Sequence, residues 1–367
     1  MPAHAEPKQI LFLEKTLMEH RERPFRGVQL HNFILIGDLV RLGHRVVVPA
    51  ERTWRARFEE AIPAAMPELM DLPNLGSYFG GRLAAHRLRR ARFDAMILGN
   101  VGRGIAPAVR RLHRRGAAPR AVVIANRTAR EGFLRTMRGM PMNVVTVNRE
   151  IAAGFEGRVN GIVDTYYGIA NADDFHPPAA PKPADAPVEF CVLGKLDPEW
   201  KGADLAIEAF RAMPEEVRSR CRLQLIAYEH PPETGDERII AHSWTSPSRI
   251  PELLRSMDVL IVPSRGEFET FSQAIVQGML TGLPIISSDL LVLTEKLDAG
   301  GGLIFRSTAE LGEHMRTLAV DVDLRRRLGD QARRTARDRY IWSTQRFVER
   351  FLFPAEPAPV PDPHPRA

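Results

Sequence analysis

The stretch Pro263–Gly282, PSRGEFETFSQAIVQGMLTG, concentrates polar side chains where an apolar run gives way to a helix-like one. A strand in DVLIVPS would deliver Glu267 and Glu269 on a loop, and a helix would start near Thr270. Such a helix start presents unpaired backbone N–H groups at the positive end of the helix dipole, a seat for phosphate. Gln277 follows Glu269 by eight residues, about two helical turns. A loop carboxylate and a helix side chain can thus face one ligand from two directions. The plainer reading is a capping acid and a solvated glutamine. A second polar group lies in LGKLDPEWKGADLAIEAF, where Lys195 and Lys201 bracket a short loop between a strand and a helix. The chain has six lysines among 51 basic residues, so two in one loop is a concentration. The alternative is a pair of surface lysines.

Other chemistry-bearing residues carry less. ILGNVGRGIAPAVRRL sets Gly99, Gly102 and Gly104 between a strand and a helix, but not in the order of a dinucleotide loop. Asn100, at the end of that strand, can still face a ligand. His230 and His242 flank a Pro- and Gly-containing loop without the spacing or acidic partners of a metal site. No metal site is predicted.

The elements that must position these residues alternate. QILFLE (Gln9–Glu14), GHRVVV (Gly43–Val48), DAMILGN, RAVVIAN and MNVVTVN read as strands, with a helix from about Val28 to Leu42 and helix-like segments after the others. PPAAPKPADAP, residues 177–187, is too rich in proline for helix or central strand and reads as a linker. The pattern then restarts with strands in EFCVLGK, CRLQLIAY, DVLIVPS and LPIISSD, helices between them, and long charged helices from Ala309 to about Phe351. The tail FPAEPAPVPDPHPRA is proline-rich and expected to be disordered. Alternating βα units predict two doubly wound α/β domains with ligands at the carboxyl ends of the strands, in the cleft between the domains.

Composition bounds the function classes. The 367 residues are 44% hydrophobic and 26% charged, enough for two cores and incompatible with wholesale disorder. The apolar runs are far shorter than the roughly 20 residues of a spanning helix, and no charged segment with a long apolar run opens the chain. Cys191 and Cys221 both sit in strand-like stretches, which predicts buried free thiols in a reduced, cytosolic compartment. The net charge is +6, and 45 of the basic residues are arginine. Arg82–Arg92 and Arg110–Arg120 are the densest clusters. The first reads as a solvated helix face, with an anionic membrane surface as the alternative. Nucleic acid is not expected as a partner, because no recognition motif or stacking platform accompanies the charge.

The pattern PS…E-x-F-S…G-M-x-x-G-x-P-I-I-S-S-D resembles the nucleotide-sugar signature of the retaining GT-B glycosyltransferases of family 4. In that family a loop glutamate is followed eight residues later by a second one that holds the ribose hydroxyls. The first aligns with Glu269 and the second with Gln277. The family's paired glycines before a later glutamate are absent from LLVLTE, which keeps Glu295. LGKLDPEWKGADLAIEAF is similar to the family's strand, basic residue, short loop, Lys-Gly and helix. It places Lys195 and Lys201 where two cations grip the donor diphosphate and stabilise the charge that grows as it departs. RPFRGVQLHNFILIGDLVRLGHRVVV resembles the family's glycine loop and first helix. Gly27 would there let backbone approach the donor phosphate; a simple loop glycine is the alternative. YYGIANADDFHP and RYIWSTQRFVERF resemble the crossover into the linker and the C-terminal helix that Trp342 leads back to the first domain.

The resemblance implies a GT-B fold, α/β, with two Rossmann-like domains facing each other across a cleft. It implies an acceptor-side domain over 1–176, the linker 177–187, a nucleotide-sugar domain over 188–338, a returning helix over 339–353 and a tail over 354–367. The implied activity is transfer of a sugar from a nucleotide diphosphate sugar to an acceptor hydroxyl with retention, in cell-envelope glycan or glycosylated-metabolite synthesis. Glu269 would contact the sugar, amides around Thr270, Phe271 and Ser272 would cap the diphosphate, and Gln277 would touch the ribose. The leaving phosphate would help deprotonate the acceptor, with no metal and no cofactor beyond the nucleotide sugar co-substrate. The acceptor would be a glycan, a lipid-linked or a small molecule. The protein would be cytoplasmic, with a peripheral place at the inner face of the cytoplasmic membrane as a further expectation. Gln277 and the missing glycines keep open a nucleotide-sugar-binding protein of weakened catalysis, and the charge keeps open a basic nucleic-acid-binding protein.

Overall fold

The structure is a computed structural model that describes residues 6–14, 27–50, 54–71, 86–99, 106–127, 131–180, 182–183, 185–266 and 269–354. Asn100, Gly102, Gly104, Glu267, part of the Arg82–Arg92 segment and the tail from residue 355 lie outside the described residues. The chain divides into two compact units, Met1–Thr165 with Ser343–Ala367, and Tyr166–Trp342.

Among the described residues the first unit holds seven parallel strands: β1 (Gln9–Glu14), β2 (Arg45–Ala50), β3 (Glu68–Asp71), β4 (Ala95–Gly99), β5 (Arg120–Ala125), β6 (Asn143–Thr146) and β7 (Val163–Asp164). Their order is β3-β2-β1-β4-β5-β6-β7. β1 lies centrally, Ile10 pairing with Val46 on one side and Ala95 on the other. Ile10, Leu11, Phe12 and Leu13 are buried, as a strand covered on both faces requires. The helix Gly27–Arg41 begins one residue before the expected Val28. The Asn148 side chain accepts the Ile151 N–H and caps the helix Arg149–Ala153.

The described residues of the second unit hold six parallel strands: β8 (Val188–Leu193), β9 (Cys221–Tyr228), β10 (Ile239–Ser243), β11 (Val259–Val262), β12 (Ile285–Ser288) and β13 (Gly302–Phe305). Their order is β10-β9-β8-β11-β12-β13. Phe190, Phe210, Leu223, Val259, Ile261 and Met315 form its core, each worth about 1.5–3 kcal/mol of burial. Cys191 and Cys221 are buried and unpaired, and burial raises both thiols, Cys221 to about 11. No helix among the described residues is long and apolar enough to cross a membrane.

The Pro-rich stretch 177–187 falls inside the second unit, since the chain enters that unit at Tyr166. The segment ahead of it is already bonded there. Ile169 donates its N–H to the Tyr340 carbonyl at 2.8 Å and accepts the Trp342 N–H at 3.1 Å. A Cβ on Gly168 would stand 2.2 Å from the Tyr340 carbonyl oxygen, so only glycine fits. After Trp342 the chain rejoins the first unit. There Thr344 Oγ1 donates to Asp38 Oδ2 at 2.9 Å, and Asn143 Nδ2 donates to the Phe351 carbonyl at 2.7 Å.

Candidate active site

The strand order of the second unit turns back between β8 and β11, and the carboxyl ends of strands at such a switch are where doubly wound sheets bind their ligands. The loop after β8 carries Lys195 and Lys201; the loop after β11 carries Ser264 and Glu269.

The two loops are stitched together. Arg265 N–H donates to the Trp200 carbonyl at 2.6 Å, and the Arg265 guanidinium pairs with Asp204 at 2.5 Å. The turn Glu199–Lys201 ends at Gly202, whose φ of +69° is left-handed and whose absent Cβ would lie 2.0 Å from the Pro263 carbonyl oxygen. A side chain there would push the two loops apart. Lys201 is thereby held against the β11 loop. Its Nζ lies 2.6 Å from Glu269 Oε2 and 4.5 Å from the centre of the Trp200 ring. Ser264 Oγ donates to the same Oε2 at 3.2 Å, and Ser288 Oγ at the end of β12 donates to the Ser264 carbonyl at 2.7 Å. The Lys201 and Glu269 side chains are 18% and 9% exposed.

Lys195 pairs with a different carboxylate. Its Nζ lies 2.5 Å from Glu229 Oε2 on the loop after β9, with the two side chains 49% and 56% exposed. Asp197 fixes that loop by accepting the N–H groups of Glu229 and His230. Desolvation raises the Asp197 carboxyl, but those backbone hydrogen bonds and Lys195 bring it below its ordinary value.

The helix expected from Thr270 begins at Gln273. Ser272 precedes it at φ +57°, ψ +85°, so Thr270–Ser272 form a bent loop ahead of the first turn. A left-handed non-glycine residue costs of order 1 kcal/mol, a strain that the packing of Phe271 offsets. That ring is buried against Tyr167, centroids 4.8 Å apart, so Phe271 anchors the loop with its side chain. Gln277 is half-buried on the second turn of the helix Gln273–Thr281. Gly27 opens the helix Gly27–Arg41 of the first unit.

Lys296 was not among the expected site residues. It follows Glu295 and is fully buried, its Nζ donating to the Val292 carbonyl at 2.8 Å and standing 3.5 Å from Glu295 Oε1. The Phe271 and Tyr340 rings lie 4.6 and 5.7 Å from it. Burial pushes its pKa down to about 8, while Glu295 and Glu269 pull it back up. The sequence signal was a rare lysine inside the apolar frame VLTEKL. Glu229 lies outside every quoted motif, while Asp197 and Ser264 lie inside two of them without a role having been read for either.

Residues 187–321 match the family model of the glycosyl transferases group 1. The matched stretch contains all of β8–β13 and every residue of the two stitched loops. By sequence, the chain matches no curated protein. By structure it is similar to HepE of Anabaena solved with UDP and glucose, at TM-score 0.65 and 14% identity over 91% of this chain and 96% of that one. It is similar to sucrose-phosphate synthase of Thermosynechococcus elongatus, at TM-score 0.67 and 14% identity over 92% and 96%. The glycosyltransferase WaaG of lipopolysaccharide biosynthesis aligns at TM-score 0.65 and 16% identity over 94% and 100%. At these identities the likeness is one of fold, and the fold is GT-B.

Proposed function

We propose that the chain transfers a sugar from a nucleotide diphosphate sugar to an acceptor hydroxyl with retention of configuration. The Lys201–Glu269 pair at the switch between β8 and β11, inside the stretch that matches the family model, carries this reading. Without ligand, the cation suited to the diphosphate and the carboxylate suited to the sugar neutralise each other. An arriving diphosphate offers Lys201 a more highly charged partner. Glu269 is then released toward the sugar, still held by Ser264 Oγ. Lys195, on the exposed side, adds a second cation, and the amides of Thr270–Ser272 face the same charge. Gln277 is assigned to the ribose and Gly27 to the donor phosphate. Neutralising the departing diphosphate is the largest electrostatic task of the step. The leaving phosphate takes the acceptor proton, so the scheme uses no protein nucleophile, metal or cofactor.

HepE was solved with UDP and with UDP-glucose, which makes UDP the first nucleotide to try. The acceptor is a glycan, a lipid-linked or a small molecule in cell-envelope or metabolite glycosylation. The place of work is the cytoplasm or the inner face of the cytoplasmic membrane. Incubation with UDP-glucose and a panel of sugar and lipid acceptors tests the activity. A labelled glycoside that keeps the donor's anomeric configuration supports it. UDP-sugar binding without turnover on any acceptor supports the second reading, a nucleotide-sugar-binding protein, which the amide of Gln277 in the aligned carboxylate position favours.

A further inference from the structure

Lys296 has no part in the donor chemistry above, yet a lysine with no exposed surface needs a reason, since burying an ammonium is costly unless its surroundings compensate. The surroundings here are specific. Its three donors meet one carbonyl, from Val292, and one carboxylate, from Glu295. Two rings close over the charge: Phe271 from the loop after β11, and Tyr340 from the end of the helix Val322–Arg339. Tyr340 in turn donates its hydroxyl to the Glu295 carbonyl at 3.4 Å. Phe271 is two residues from Glu269 and adjacent to the left-handed Ser272. The ammonium therefore ties Glu295 to the segment that carries Glu269 and opens the helix Gln273–Thr281.

We propose that Lys296 is a positioning residue of the donor site: its buried ammonium clamps the Phe271 ring against Glu295 and thereby sets the Glu269–Ser272 loop for a nucleoside diphosphate. The identity of the ligand rests on the donor reading above; the clamp rests on the contacts alone. The titratable groups facing Lys296 are Glu295 beside it, Glu269 on the clamped loop, itself paired with Lys201, and the Tyr340 phenol.

The clamp has a pH signature. With its pKa lowered to about 8 by burial, the ammonium is present below that value and lost as pH rises through it. Cation–ring attraction and the attraction to Glu295 disappear with the charge. Donor affinity should therefore fall on the alkaline side. Stability responds with the opposite sign. An unfolded lysine keeps its proton to about pH 10.4, so between about 8 and that value the unfolded chain binds more protons, and this group's contribution to stability rises with pH. A fall in affinity without a fall in stability separates loop positioning from unfolding.

The test titrates UDP into the full chain by calorimetry at pH 7.5 and 9.5, at fixed ionic strength. The wild-type chain should lose roughly tenfold in affinity. Lys296→Met, which keeps the apolar stem without the charge, should bind more weakly at pH 7.5 and lose nothing further by pH 9.5. The Phe271 and Ser272 amide resonances of the ligand-free wild-type chain give a reading that needs neither variant nor nucleotide: they should shift with a midpoint near pH 8. Amides that do not titrate between pH 7 and 9.5 overturn the proposal. So does an alkaline loss of UDP affinity that persists in Lys296→Met. Amides that titrate near pH 8 in a chain binding neither UDP nor other nucleoside diphosphates support the clamp and overturn the donor reading instead.

Discussion

Two lysine–glutamate pairs flank one loop, and they are built differently. Lys201 and Glu269 meet at 2.6 Å with 18% and 9% of their side chains exposed, while Lys195 and Glu229 meet at 2.5 Å with about half of each exposed. Equal distances do not make equal energies. A half-exposed pair contributes about 0–1 kcal/mol and is screened by salt. The sheltered pair sits in a medium that strengthens its attraction and penalises breaking it without replacement. Lys201 is also fixed by Gly202 against the Pro263 carbonyl and by the Trp200 ring. The resemblance to family 4 treats the two lysines alike. The structure separates them by burial, and the proposed donor site would use Lys201 as its principal diphosphate cation and Lys195 as an adjustable one.

The steepest way to break this contrast is Gly202→Ala. A methyl group 2.0 Å from the Pro263 carbonyl oxygen, at a left-handed φ, forces the two loops apart. Chemical denaturation should show a loss of about 3 kcal/mol, with the Lys195–Glu229 side of the loop unaffected in structure. Next is Lys201→Ala, which should weaken UDP binding by roughly 1.5–3 kcal/mol, about ten- to hundredfold, in a calorimetric titration. Gln277→Glu sharpens the contrast from the ribose side. A carboxylate accepts hydroxyl protons more strongly than an amide does, so UDP should bind about 1 kcal/mol tighter; unchanged affinity would remove Gln277 from the site. Smallest is Lys195→Ala, with an expected loss under about 1 kcal/mol that vanishes as salt is raised. An effect of Lys195→Ala equal to that of Lys201→Ala would erase the ranking.

Which parts of the fold were legible follows from burial. The nine strands read from the sequence, among them Gln9–Glu14 and the runs in DAMILGN and DVLIVPS, are the interior strands of the two sheets. Covered on both faces, they are continuous apolar runs. The four strands missed, β3, β7, β10 and β13, are the four sheet edges. β3 reads ELMD with no buried residue, and β10 and β13 bury one residue each. Edge strands lack the apolar signal because one side has no neighbour to pack against. The helix start was misplaced by three residues because Ser272 adopts a left-handed turn that glycine would have announced and serine conceals. Glu269 and Lys201 were legible as motif positions. Ser264 was legible as a motif position but not as the hydroxyl that holds Glu269, and the buried Lys296 was not legible at all, since it owes its role to two tertiary neighbours, Phe271 and Tyr340.

The central claim is that Glu269 holds Lys201 until a diphosphate takes its place, and Glu269→Gln tests it most directly. The substitution keeps the shape and a hydrogen-bond acceptor but removes the charge that competes for Lys201. Calorimetric titration with UDP, which carries no sugar for Glu269 to contact, isolates that competition. UDP should bind Glu269→Gln more tightly than the wild-type chain, by roughly 1 kcal/mol, while transfer from UDP-glucose is lost. Binding that is unchanged or weaker would contradict the account.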